Sequence, residues 1–128
     1  MSYSKRTLLA AVCVLAAPHW CSAGVVQIYW AWNSGGSVGG VERVDAAGNG
    51  RELLTSPNNY PAGIDVDPRT GKVYYTLAGA GDIRRCDLDG GDNVLLNGDA
   101  GTHVRGIGLD VADNKMYWIA GHPANDSV

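Results

Sequence analysis

Residues 61 to 90 read Pro61-Ala-Gly-Ile-Asp-Val-Asp-Pro-Arg-Thr-Gly-Lys-Val-Tyr-Tyr-Thr-Leu-Ala-Gly-Ala-Gly-Asp-Ile-Arg-Arg-Cys-Asp-Leu-Asp-Gly90, and the flanking sequence restates them. Gly63-Ile64-Asp65-Val66-Asp67 returns as Gly106-Ile107-Gly108-Leu109-Asp110, and Lys72-Val73-Tyr74-Tyr75 as Lys115-Met116-Tyr117-Trp118. Upstream, Val41-Glu42-Arg43-Val44-Asp45 falls under Ile83-Arg84-Arg85-Cys86-Asp87, and Glu52-Leu53-Leu54 under Val94-Leu95-Leu96. The chain is a tandem repeat of about 42 to 43 residues.

Each repeat contains short runs of Val, Ile, Leu, Tyr and Trp between clusters of Gly, Asn, Asp and Pro, which is strand-and-turn chemistry. Strands are expected at about 25–31, 41–46, 51–55, 62–66, 72–77, 82–88, 92–96, 105–109 and 115–119, with no helical periodicity among them. With 18 Gly, 2 Met and no Phe, any core must be built from aliphatic, Tyr and Trp side chains on sheets. A four-stranded unit of this length is the mark of a propeller blade. Naming its strands a to d, the chain runs b-c-d, a-b-c-d, a-b. The expected fold is all-β, a partial β-propeller of about 2.4 blades, fewer than the four to eight of a closed ring. Unpaired sheet edges are then expected to promote self-association.

Ahead of the repeats, Lys5 and Arg6 precede an apolar run from Thr7 to Ala17, and Cys21-Ser22-Ala23 offers small residues for cleavage between Ala23 and Gly24. This reads as a signal-peptide helix over 1–23, with the repeats filling 24–128 in the periplasm or cell exterior. A helix of that apolar run rises about 16 Å, too short for a bilayer core of about 30 Å. No later segment is apolar enough to span, so no membrane span is expected after cleavage.

The net charge of −3 becomes −5 once Lys5 and Arg6 are removed, which argues against nucleic acid, whose binding leans on a basic footprint. Cys13 and Cys21 leave with the leader, and Cys86 is read as a small buried hydrophobe rather than a bridging thiol.

Three segments resemble the low-density-lipoprotein-receptor class B repeat, the YWTD propeller family. Ile83-x-Arg85-x-x-Leu88-Asp89-Gly90 is similar to that family's Ile-x-Arg-x-x-Leu-Asp-Gly segment, and Pro61-x-Gly63-Ile64-x-Val66-Asp67 to its Pro-x-Gly-Ile-Ala-Val-Asp strand. Tyr29-Trp30, Tyr74-Tyr75 and Tyr117-Trp118 take the Tyr-Trp positions, over a span of roughly Gln27 to Ala120. The Thr-Asp half is Ala31-Trp32, Thr76-Leu77 and Ile119-Ala120, so its Asp is missing each time. The resemblance implies a propeller that binds protein ligands. Propellers of the NHL and gluconolactonase kinds share the short Gly-Ile/Leu-x-Val-Asp strand.

The carboxylates invite acid/base or calcium readings, yet Asp67-Pro68-Arg69-Thr70-Gly71 and Asp89-Gly90-Gly91-Asp92-Asn93 lie where Asp, Asn and Gly make turns. His103 and His122 show no metal-ligand spacing, and no metal or cofactor is expected. Arg85 with Asp87, and Arg43 with Asp45, share one strand face and read as a ladder tying neighbouring blades. Asn125-Asp126-Ser127 fits a glycosylation acceptor.

In antiparallel blades the b-c and d-a loops share one end, and these are the longer and more varied ones. Varied loops on a rigid scaffold carry binding. Trp32, Asn33, Asn58, Asn59, Tyr60 and His103 are therefore the expected contact residues, pairing aromatic area with amide hydrogen bonding suited to a protein or glycan. The leading functional expectation is a non-enzymatic, extracytoplasmic binding module. The alternatives are a fragment of a metal-dependent propeller enzyme of gluconolactonase or lyase type, and a truncated gene product without activity of its own.

Overall fold

The computed structural model describes residues 13–15, 26–35, 38–57 and 59–121. Those residues form ten strands and no helix, in three antiparallel sheets, none of them closed. The first sheet orders β1 (Cys13–Leu15), β2 (Gln27–Asn33), β3 (Gly39–Asp45) and β4 (Glu52–Thr55) as sequential neighbours. The second does the same with β5 (Pro61–Asp67), β6 (Lys72–Leu77), β7 (Asp82–Asp87) and β8 (Val94–Asn97). The third is the hairpin β9 (Ile107–Asp110) and β10 (Lys115–Trp118).

The repeat survives into register. Tyr29 lies opposite Arg43 as Tyr74 lies opposite Arg85, and β3 carries a bulge between Val41 and Glu42 where β7 carries one between Ile83 and Arg84. An irregularity at the same step of two strands is a sequence-encoded feature rather than a packing accident.

Two apolar layers hold the sheets together. Tyr29, Ala31, Val41 and Leu54 of the first sheet pack on Ile64, Val66, Val73, Tyr75, Leu77 and Cys86 of the second. Ile83 leaves the opposite face of the second sheet to meet Ala100 and Val104, with Ile107 and Met116 of the hairpin against them. The middle sheet is therefore apolar on both faces, and fully burying each large side chain contributes roughly 1.5–3 kcal/mol. Cys86 is buried, and burial pushes its thiol up to about 11.

The strand expectations hold in type and order, with ends shifted by at most two residues. The larger shift is in β2, which extends through Trp32 and Asn33, residues expected in a loop. They remain in the ladder because Gly40 and Gly39 opposite them continue β3.

The expected leader helix is corrected where the structure describes that segment. Cys13–Leu15 is a strand, placing Cys13 opposite Tyr29, Val14 opposite Ile28 and Leu15 opposite Gln27. Without it the backbone groups of β2 would face an empty edge, and pairing satisfies them. Its position follows the repeat. Val66 faces Val73 and Leu109 faces Met116 in the same step of the other two sheets, and β1 lies against β5 as β5 lies against β9. The rest of the expected leader, including the Ala23–Gly24 cleavage site and Cys21, lies outside the described residues, as do Asn58, His122 and Asn125. Among the described residues no helix is long and apolar enough to cross a membrane.

Candidate functional site

The cleft is built from a bulge. β5 departs from the β6 ladder between Pro61 and Ile64, which takes the Gly63 amide out of strand pairing. Thr76 Oγ1, wholly buried, accepts that amide at 2.8 Å and donates to the carbonyl of Arg105 at 2.8 Å. One hydroxyl thus satisfies two backbone groups and fixes the entry to β9 against β5. Gly63 is required for this approach, since a Cβ there would collide with the Arg105 carbonyl.

The same strand ends frame an open cleft of about 380 Å³ lined by Asn33, Tyr60, Ala62, Ala78, Gly79, His103 and Arg105. That volume lies at the small end of the range used by ligand sites. Asn33 is the last residue of β2, and its Nδ2 donates to the Pro61 carbonyl at 3.4 Å. Tyr60 is held by its own carbonyl, which accepts from Ala78 N at 2.9 Å, while Asn59 O accepts from Gly79 N at 3.0 Å. Gly79 leaves room for the Tyr60 ring, whose Cδ2 would stand 2.8 Å from a Cβ at that position.

Three residues at this end of the sheets adopt left-handed backbone: Asn59 at φ 78°, Tyr60 at 55° and His103 at 53°. Such conformations cost a non-glycine residue about 1–3 kcal/mol and gather at binding sites. They turn Tyr60 and His103 toward the cleft instead of along the chain. Arg105 adds the charge. Its backbone is bonded on both sides, through N to Ile119 O at 2.9 Å and through its carbonyl to Thr76, while the exposed guanidinium makes no hydrogen bond or ion pair among the described residues.

Of the residues singled out in the sequence, Asn33, Tyr60 and His103 therefore meet at one cleft, with Asn59 supporting its rim. Trp32 is not among the residues lining the cleft: its Nε1 donates to Glu42 Oε1 at 2.8 Å across the β2–β3 pair. Arg105 and the small residues Ala62, Ala78 and Gly79 were missed. Arg105 lies two residues after His103 in a loop, and no local pattern marks it until β9 is brought against β5.

The carboxylates do the turn work expected of them. Asp67 accepts from Arg69 N at 2.9 Å and from the Thr70 hydroxyl at 2.8 Å, and Asp89 accepts from Gly91 N at 2.9 Å. Asp65 differs: its Oδ2 accepts from Leu109 N at 2.8 Å and joins β5 to β9. The expected Arg–Asp ladder takes another form, because Arg43 pairs with Glu52 and reaches the Leu88 carbonyl, while Asp87 pairs with Lys72. Among the described residues no group of three or more His, Cys, Asp or Glu side chains could hold a metal ion. A smaller hollow of about 120 Å³ at the other end of the strands is lined by Asp67, Tyr74, Leu109, Asp110, Val111, Asn114, Lys115 and Met116. It offers room for a few waters.

No family model matches the chain.

Proposed function

We propose that this chain is a non-enzymatic binding module whose ligand seats in the cleft formed by Asn33, Tyr60, His103 and Arg105. The observation that carries this reading is the convergence, from three separate connections, of an amide, a phenol and an imidazole around an unpaired guanidinium. Two of those residues are held in costly backbone conformations, which gives the arrangement a purpose beyond chain reversal.

The chemistry selects an anionic group. A guanidinium offers a planar fork of donors that matches a carboxylate, and the neighbouring amide and hydroxyl add hydrogen bonds. The ligand is accordingly an acidic side chain presented by a partner protein, and acidic glycans are the comparison set. In this reading the three sheets are successive blades of an incomplete propeller of the YWTD kind.

Arg105→Ala and Tyr60→Ala test it on the full-length chain, titrated with an acidic peptide library and with uronic-acid oligosaccharides. Binding that weakens about tenfold or more in both variants, and that falls with added salt, supports the reading. Equal binding by wild type and both variants overturns it.

A further inference from the structure

Arg43 and Arg85 hold the same place in successive sheets. Each stands opposite a tyrosine, Tyr29 or Tyr74, and each follows the bulge in its strand by one further residue. Their surroundings differ. Arg43 donates through Nε and Nη2 to Glu52 Oε2 at 2.9 and 2.6 Å, and through Nη1 to the carbonyl of Leu88 at 2.8 Å. Leu88 directly follows β7, so the guanidinium of one sheet is capped by the third strand of the next.

Arg85 has neither partner. Val94 stands opposite it where Glu52 stands opposite Arg43, and its Nε is buried with no hydrogen bond. The sheet that should cap it consists of β9 and β10 alone among the described residues. The outer edge of β10 is unpaired there, and Tyr117, Trp118 and Ile119 beside it are 59, 40 and 69 % exposed. A buried donor without an acceptor is destabilising, and an open apolar edge invites strand pairing.

We propose that the outer edge of β10 is a strand-acceptor site, filled by an extended segment of a partner polypeptide running antiparallel to it and reading apolar–charged–Arg–apolar–Asp. The internal repeat supplies that chemistry. Val41-Glu42-Arg43-Val44-Asp45 fills the corresponding edge of β2, and Ile83-Arg84-Arg85-Cys86-Asp87 that of β6. On β10 the same register sets Asp opposite Lys115, as Asp87 is opposite Lys72, and Arg opposite Tyr117. The two apolar residues then cover Met116 and Ile119, and the carbonyl after Asp accepts from Arg85. Main-chain bonds give such strand addition its affinity, and the alternate side chains its selectivity. The site is separate from the cleft at Arg105 and stands without any ligand there.

The test uses the full-length chain and a synthetic peptide copying Gly81 to Gly91 with Cys86→Val. Calorimetry should show one saturable site, and amide exchange at β10 should slow about tenfold or more on saturation. Arg85→Gln in the protein should weaken the peptide about tenfold, and Asp87→Lys in the peptide should do likewise by facing Lys115 with a like charge. The second variant leaves the protein untouched, so a folding defect cannot imitate the result. Absence of saturable binding up to about 1 mM, protection at β6 in place of β10, or β10 amides already protected in the free chain would each overturn the proposal.

Discussion

The hydroxyl of Thr76 donates to the carbonyl of Arg105 at 2.8 Å, twenty-nine residues along the chain. That bond sets the loop carrying His103 and Arg105 beside the loop carrying Tyr60.

Thr76→Val keeps the side-chain volume and orphans two backbone groups, the buried Gly63 N and the half-buried Arg105 O. The expected loss is about 2–4 kcal/mol, against about 1 kcal/mol or less for Thr76→Ser, which keeps both bonds. Chemical denaturation of the three proteins checks it, and equal midpoints for Val and Ser would remove the bridge from the account.

Glycine substitutions separate close approach from flexibility. Gly63→Ala drives a methyl into the Arg105 carbonyl and should cost more than about 2 kcal/mol, while Gly108→Ala, with nothing within 4 Å of its Cβ, should stay within about 0.5 kcal/mol. Thermal melts compare them directly.

Burial of Cys86 predicts an alkaline loss of stability. The folded thiol is raised to about 11, above its unfolded value, so its contribution is complete below about pH 9 and is lost as pH rises toward 11, a loss of about 2–3 kcal/mol. Cys86→Val should flatten that part of the stability–pH curve relative to wild type. An unchanged slope would mean that other groups carry it.

The left-handed backbone of His103 predicts a trade between stability and binding. His103→Gly should raise stability by about 0.5–1 kcal/mol by relieving φ 53°, while weakening whatever the cleft holds. A variant that is less stable than wild type would show that His103 is held there by contacts and stores no strain.

Val14→Pro tests the strand that completes the first sheet. Proline removes a backbone donor opposite Ile28 and should speed amide exchange across Gln27–Tyr29 about tenfold or more in the full-length chain. Exchange unchanged by proline would detach Cys13–Leu15 from β2.

The local sequence was enough for strands, turns and repeat. Alternating aliphatic and aromatic residues between Gly and Asp clusters can bury a face only as sheets, so nine strands were legible in order and type. Asp67 and Asp89 were legible as turn residues, because a carboxylate two residues before an amide bonds it whatever the rest of the chain does. Even Asn33, Tyr60 and His103 were within reach, since antiparallel connectivity alone puts their loops at one end.

Tertiary structure decided what those loops do. Trp32 is drawn into β2 and bonded to Glu42, a choice made by the glycines across the ladder and not by its neighbours in sequence. Cys13–Leu15 has the apolar character of a leader, and only the bare edge of β2 makes it a strand. Arg105 and Arg85 look alike in the sequence as basic residues among apolar ones. One is exposed on a cleft and the other keeps a buried Nε without an acceptor, because the packing of three sheets determines which carbonyls and carboxylates come within reach. Strand identity rests on the chain's own period, whereas partnership rests on distances between repeats, and those exist only once the sheets stack.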